Sequence, residues 1–275
     1  QHVTVIGGGA WGTALACAAR RAGNAVTLWA RNAEVVEAVN LARENMIYLP
    51  GVALPDGIHA TTDMAAALSP ASAVLLVVPS QHLREIAGQM APHMAALPLA
   101  LCSKGVERST GALMSDVAAE ALPQGQLAVL SGPTFAREVA TGLPTAVTLA
   151  CADETLGAQL VEAIGVPTFR PYLSADVTGA QIGGAVKNVL AIACGIVEGK
   201  AFGDSARAAL TARGFMEMSR FGEALGAKPA TLKGLSGLGD LILTCGSRQS
   251  RNMSLGFALG EGKTLEDILG ARSSV

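Results

Sequence analysis

Val3-Thr4-Val5-Ile6-Gly7-Gly8-Gly9-Ala10-Trp11-Gly12 is the stretch on which the fold turns. Its first four residues are all β-branched and read as a strand, and the run stops at three glycines. Residues 13–22 carry an alanine-rich helical pattern ending at Gly23, and Ala25-Val26-Thr27-Leu28-Trp29 is a second strand. Strand, glycine turn, helix and strand make a βαβ unit. Gly7, Gly9 and Gly12 have Gly-x-Gly-x-x-Gly spacing, which is weak evidence alone but informative where it follows a strand and opens a helix. There Gly7 permits the sharp turn, Gly9 lets backbone approach a pyrophosphate, and Gly12 lets the helix pack closely on the strand. The start of the helix, with Ala10 in its first turn, offers amides and partial positive charge to an anion.

Working outward, apolar strands at 73–78, 97–102, 127–130 and 145–150 alternate with helical stretches, which predicts a mostly parallel, doubly wound α/β sheet. A strand at 166–170 is followed by a turn-like segment at 171–174, after which helical patterns take over. We therefore expect a dinucleotide-binding Rossmann domain at 1–175 and an all-helical substrate and catalytic domain at 176–275. In the second domain, 183–197 reads as a nearly all-apolar helix buried on most sides, 206–225 as another, and Gly234-Leu235-Ser236-Gly237-Leu238-Gly239-Asp240 as a glycine-rich turn leading into a third.

Composition excludes several classes. Of 275 residues, half are hydrophobic and 4% aromatic, which suits close helix-on-sheet packing and argues against disorder. The net charge of -2, with scattered Lys and Arg, provides no stripe to follow a nucleic-acid backbone. Mean hydropathy is +0.40, yet runs such as Val74-Leu75-Leu76-Val77-Val78 fall short of the roughly 20 residues that cross a bilayer, so no membrane span is expected. Cys17, Cys102, Cys151, Cys194 and Cys245 sit singly in apolar surroundings and read as buried reduced thiols, which points to a cytoplasmic home. His2, His59, His82 and His93 have no metal spacing, and no metal is expected; His82 alone falls near the dinucleotide edge.

Several charged residues need a reason. Arg31 stands at the end of the second strand, where an acid would bind ribose hydroxyls, and its planar guanidinium suits a 2'-phosphate; this favours NADPH, with Glu34 keeping NADH open. Lys104, after the strand ending at Cys102, lies at the carboxyl edge of the sheet, where ligands of such folds bind. Lys187 is a lysine inside a buried helix, which calls for a carboxylate partner, and Asp240 is the candidate. Asp240 and Thr244, four apart, share one helix face. Ser250 is an N-cap for a helix over 251–259 closed by Gly260; it places Arg251 and Asn252 in the first turn, where amides can hold a phosphate.

With these segments assembled, the chain resembles the bacterial type of NAD(P)H-dependent glycerol-3-phosphate dehydrogenase along essentially its whole length. The motifs that carry the resemblance are Gly-Gly-Gly-Ala-Trp-Gly-Thr-Ala-Leu-Ala at 7–16, Leu-Pro at 49–50, Ser-Lys-Gly at 103–105, Ser-Gly-Pro-Thr-Phe-Ala at 131–136, Gly-Gly-Ala-Val-Lys-Asn at 183–188, Gly-Leu-Gly-Asp-Leu at 237–241 and Gln-Ser-Arg-Asn at 249–252. The resemblance implies a helical domain like that of 6-phosphogluconate dehydrogenase, and reversible reduction of dihydroxyacetone phosphate to sn-glycerol 3-phosphate for phospholipid synthesis. It implies that Trp11, Arg31 and Ala136 contact the cofactor, that Lys104 contacts cofactor and substrate, and that Gly132 and Thr134 line the substrate pocket. Lys187 would be the proton donor and acceptor, Asp240 and Ser250 substrate ligands, Arg251 a contact to both ligands and Asn252 a ligand at the phosphate end. The family pattern runs past Val275 into a Val-x-Glu cofactor contact and further helices, so Val275 is assigned to the cofactor and the helical domain is expected to be truncated here. A homodimer stays open. The other readings are a two-domain reductase of a small keto or hydroxy acid and a cofactor-binding but inactive fragment.

Overall fold

The computed structural model describes residues 1–270; Val275 lies outside them. The chain divides into two compact units, residues 1–177 and 178–275. The first is built on one eight-stranded sheet: β1 (His2–Ile6), β2 (Ala25–Trp29), β3 (Ile58–Thr61), β4 (Ala73–Leu76), β5 (Pro98–Leu101), β6 (Gln126–Ser131), β7 (Thr145–Ala150) and β8 (Phe169–Ser174). Their spatial order is β3-β2-β1-β4-β5-β6-β7-β8. Every neighbouring pair is parallel except β6 and β7. The strand order reverses beside β1, the place where a doubly wound sheet binds its ligand at the carboxyl ends of its strands. The helix α1 (Ala10–Arg21) follows β1, and Gly12 through Ala19 are all buried. Their small side chains let it lie close on the sheet.

The fold is the Rossmann-like, mostly parallel α/β arrangement expected, with two corrections. β3 was not anticipated: Ile58-His59-Ala60-Thr61 is short and alternates buried with exposed residues at the sheet edge. The last strand is Phe169–Ser174 rather than 166–170, and Val166 only bridges to Phe169. Pro171 suggested a turn, but β8 is an edge strand, where a residue without an N–H is tolerated. Within the otherwise parallel sheet, β6 and β7 run antiparallel through the loop and helix Ala136–Thr141 that connect them.

The second unit is helical. Its long helix, Val177–Gly199, starts six residues earlier than predicted. Gly179, Gly183 and Gly184, which weaken a helix signal, are buried packing positions in it. Over 183–197, Gly183, Gly184, Lys187, Ala191, Cys194 and Gly195 are buried, and Val189 is the one exposed position. At 23 residues the helix is long and apolar enough to cross a bilayer by length and composition, against the expectation that no segment would be; half of the qualifying window is buried within the protein, and it carries a buried ion pair, as a core helix can. Asp204–Ala224 is the second helix. The glycine-rich segment is a π-helical turn, Leu235–Gly239, continuous with the helix Asp240–Gly246. Arg251–Gly260 includes Gly260 instead of ending before it. The reason is packing: a Cβ at Gly195, Gly199, Gly256 or Gly260 would lie 2.0–2.6 Å from a main-chain oxygen of the facing helix. These glycines let two helices touch backbone to backbone.

Candidate functional site

In the first unit the glycine turn meets the helix start. Gly7 has φ +128°, and a Cβ on it would lie 2.2 Å from the Val77 carbonyl oxygen. A Cβ on Gly12 would lie 1.8 Å from the Gly7 carbonyl oxygen. Both glycines are demanded by the fold. Gly9 is not: its φ is -73°, and a Cβ there meets nothing within 4 Å. Gly9 is the N-cap of α1 and brings no side-chain cap to its first amides. The indole Nε1 of Trp11, one residue into the helix, is buried and has no hydrogen-bond partner. Open space at Gly9, uncapped helix-start amides and an unsatisfied donor at Trp11 fit the pyrophosphate of a dinucleotide. Arg31 and Glu34 are both exposed after β2, and Asn32 caps the helix between them by accepting from the Glu34 amide at 2.9 Å.

A residue that sequence reading missed holds this turn. The buried Asn45 side chain donates to the Gly8 carbonyl and to the Thr13 hydroxyl, both at 2.8 Å, and accepts the Tyr48 amide at 3.1 Å. Thr13 in turn donates to the Gly9 carbonyl at 2.9 Å. The only signal for Asn45 was its place four residues before Leu49-Pro50, in a segment with no regular periodicity.

At the carboxyl edge of β5 and β6, the half-buried Lys104 donates from Nζ to the Gly132 carbonyl at 3.2 Å. The Thr134 hydroxyl lies 3.4 Å from the same oxygen. The structure therefore gathers Lys104, Gly132 and Thr134 around one carbonyl, with Ala136 opening the next short helix. His82 sits apart, exposed in the turn Ser80–His82 and 3.6 Å from Glu85.

In the second unit Lys187 is 7% exposed and Asp240 fully buried. The Lys187 Nζ lies 2.6 Å from Asp240 Oδ1 and 3.2 Å from Thr244 Oγ1. Thr244 also donates to the Asp240 carbonyl at 2.6 Å. The approach depends on Gly183, one turn before Lys187, where a Cβ would sit 2.0 Å from the Ser236 carbonyl oxygen. Without a side chain at 183, the π-helical turn comes close enough to present Asp240. Ser250 caps the helix Arg251–Gly260 by accepting from the Met253 amide at 3.2 Å, leaving Arg251 exposed and Asn252 half-buried in its first turn. All five cysteines are free and buried, but Cys194 and Cys245 are not single: a hydrogen bond between them, with burial, pushes the Cys245 thiol up.

A doubly wound sheet with a dinucleotide turn, joined to a helical unit holding a buried lysine and carboxylate, defines a two-domain nicotinamide-nucleotide-dependent oxidoreductase. The model of the NAD-dependent glycerol-3-phosphate dehydrogenase N-terminus matches residues 2–157, and that of the C-terminus matches 176–275. The chain belongs to the NAD-dependent glycerol-3-phosphate dehydrogenase family. It is 64% identical to glycerol-3-phosphate dehydrogenase [NAD(P)+] of Parvibaculum lavamentivorans, over 100% of this chain and 83% of that protein. With the protein of the same name from Caulobacter vibrioides the identity is 59%, over the same two shares. The crystal structure of glycerol-3-phosphate dehydrogenase from Coxiella burnetii superposes with a TM-score of 0.94 at 40% identity, covering 98% of this chain and 83% of that one. A ketopantoate reductase family structure from Ralstonia eutropha, at 20% identity and a TM-score of 0.60, shares the fold alone.

Proposed function

We propose that the protein reduces dihydroxyacetone phosphate reversibly to sn-glycerol 3-phosphate, with NADPH preferred over NADH, in the cytoplasm and in the service of glycerophospholipid synthesis. The observation that carries the reading is the buried Lys187, held by Asp240 and Thr244 in a chain of this family. Bound, the reduced nicotinamide supplies the hydride. Gly7, Gly9, Ala10, Trp11 and Gly12 hold the dinucleotide, with Ala136 contributing a contact, and Arg31 takes the 2'-phosphate. The Val275 assignment lies outside the described residues.

Reducing a ketone leaves negative charge on its oxygen, and an ammonium beside that oxygen stabilises the charge and can hand over a proton. Lys187 does this, and in the oxidative direction it takes the proton back. Asp240 and Thr244 fix the lysine nitrogen in place, which a long flexible side chain needs if the proton is to travel a hydrogen-bond length. The Arg251 guanidinium and the helix start carrying Asn252, capped by Ser250, bind the phosphate. In the first unit, Lys104 and Thr134, gathered at the Gly132 carbonyl, are with Gly132 the residues that the family resemblance assigns to the substrate. Binding energy at the phosphate, remote from the reacting carbon, then orients the ketone.

The test follows reduced-nicotinamide absorbance with dihydroxyacetone phosphate, for NADPH and NADH, in the unaltered protein and in Lys187→Ala. Substrate-dependent oxidation that Lys187→Ala abolishes while cofactor still binds is the expected result. Substantial turnover in Lys187→Ala, or faster turnover of a phosphate-free keto acid, overturns the reading.

A further inference from the structure

Lys104 stands on the loop between β5 and the helix Met114–Ala121. Apart from one bridge between Val106 and Leu113, this loop has no regular pairing. A lysine carries about 2 kcal/mol of side-chain rotamer entropy, so where its ammonium sits depends on how firmly the loop backbone is held. The segment after β4 holds it. The Gln81 amide donates to the Val106 carbonyl at 2.8 Å and accepts the Arg108 N–H at 3.0 Å. One turn further on, Arg84 forks onto Glu107, with Nε at 2.8 Å and Nη2 at 2.9 Å from the two carboxylate oxygens. The Thr110 hydroxyl adds a third hydrogen bond to that carboxylate at 2.6 Å. Glu107 also closes the loop through its own backbone, donating to Ala112 and accepting from Gly111.

Exposed ion pairs usually contribute little. Here the Glu107 side chain is only 10% exposed, and the planar two-bond fork is the geometry that fixes direction as well as distance. The Arg84 guanidinium and the Thr110 hydroxyl hold the Glu107 carboxyl down to about 2. The carboxylate is therefore a charged peg at neutral pH, three residues from Lys104. We propose that Arg84 and Glu107 are positioning residues for the reaction: their forked ion pair fixes the loop that sets the place of the Lys104 ammonium. The proposal rests on the assignment of Lys104 to substrate and cofactor made above.

A double-mutant cycle on kcat/KM tests it, with Lys104→Ala, Glu107→Gln and the double variant, each checked for folding by thermal unfolding. Glu107→Gln keeps the shape of the side chain and removes the charge. It is expected to lower kcat/KM roughly tenfold or more, since displacing a positioned group by about 1 Å has effects of that order. In the Lys104→Ala background the same substitution should change kcat/KM less than twofold. Equal losses in the two backgrounds would overturn the proposal while leaving Lys104 assigned, because a merely structural pair has no reason to act through that lysine. An unchanged kcat/KM in Lys104→Ala would overturn the Lys104 assignment and the proposal with it. Arg84→Gln breaks the pair from the other side and should show the same coupling to Lys104→Ala; it supplies the answer if Glu107→Gln does not fold.

Discussion

Gly9→Ala and Gly12→Ala add the same methyl group three residues apart, and the structure assigns them opposite consequences. At Gly12 the new Cβ would sit 1.8 Å from the Gly7 carbonyl oxygen, where real contacts start near 3.0 Å. Relief requires about 1.2 Å of backbone movement between α1 and a turn whose own Cβ position is blocked by Val77. Overpacking a rigid site costs typically 1–3 kcal/mol, and with main chain on both sides we expect about 3 kcal/mol. At 2–4 °C per kcal/mol for a protein of this size, that is a fall in Tm of roughly 6–12 °C. At Gly9 no atom lies within 4 Å and φ is -73°, so the methyl restricts the unfolded chain and slightly weakens the N-cap. Those small terms oppose each other, and stability should stay within about 1 kcal/mol. Affinity for NADPH should nevertheless fall at least about tenfold, because the methyl occupies the space through which backbone reaches the pyrophosphate. Thermal unfolding of both variants and fluorescence titration with NADPH measure the two effects. Unchanged NADPH affinity in Gly9→Ala, or equal loss of Tm in the two variants, would refute the division of labour.

Asp240→Asn should destabilise the protein by about 3–5 kcal/mol in denaturant unfolding, because it removes the carboxylate charge facing the buried Lys187; a cost below about 1 kcal/mol would contradict the argument. Arg251→Ala should raise KM for dihydroxyacetone phosphate far more than it lowers NADPH affinity, and Arg31→Ala should lose more affinity for NADPH than for NADH; titrations of both variants with both ligands decide. Glu107 has a carboxyl lowered from 4.5 to about 2 in the folded state, so its contribution to stability is present above pH 4.5 and is lost as pH falls toward 2. The stability gap between the wild-type protein and Glu107→Gln should therefore narrow on going from pH 5 to pH 3, and a constant gap in acid unfolding curves would remove the charge from the argument.

Much of this was legible where local pattern and chemistry agree. The run Val3-Thr4-Val5-Ile6 before three glycines announces β1 and its turn, and a lysine at 187 amid apolar residues demands a carboxylate whatever the topology. Other features depend on distant neighbours. β3 has only four residues and one buried face, so its pattern is too short to stand out. Pro171 signals a turn until the edge position of β8 is known. Asn45 and Glu107 look like ordinary loop polar residues, and their meaning comes from a glycine turn and an arginine that only the fold brings near. Gly260 reads as a helix stop because a terminus and a tight crossing both select glycine.

That crossing has a consequence of its own. Gly195 and Gly199 on one helix and Gly256 and Gly260 on the other put peptide groups in contact with peptide groups, so the gap between the Lys187 helix and the Arg251 helix is a gauge cut in main chain. Side chains elsewhere can be repacked without resetting it, and no residue larger than glycine can be fitted at those four places without prising the gauge open. Any adaptation of this unit to a longer or shorter ligand has to be made by side chains away from that crossing.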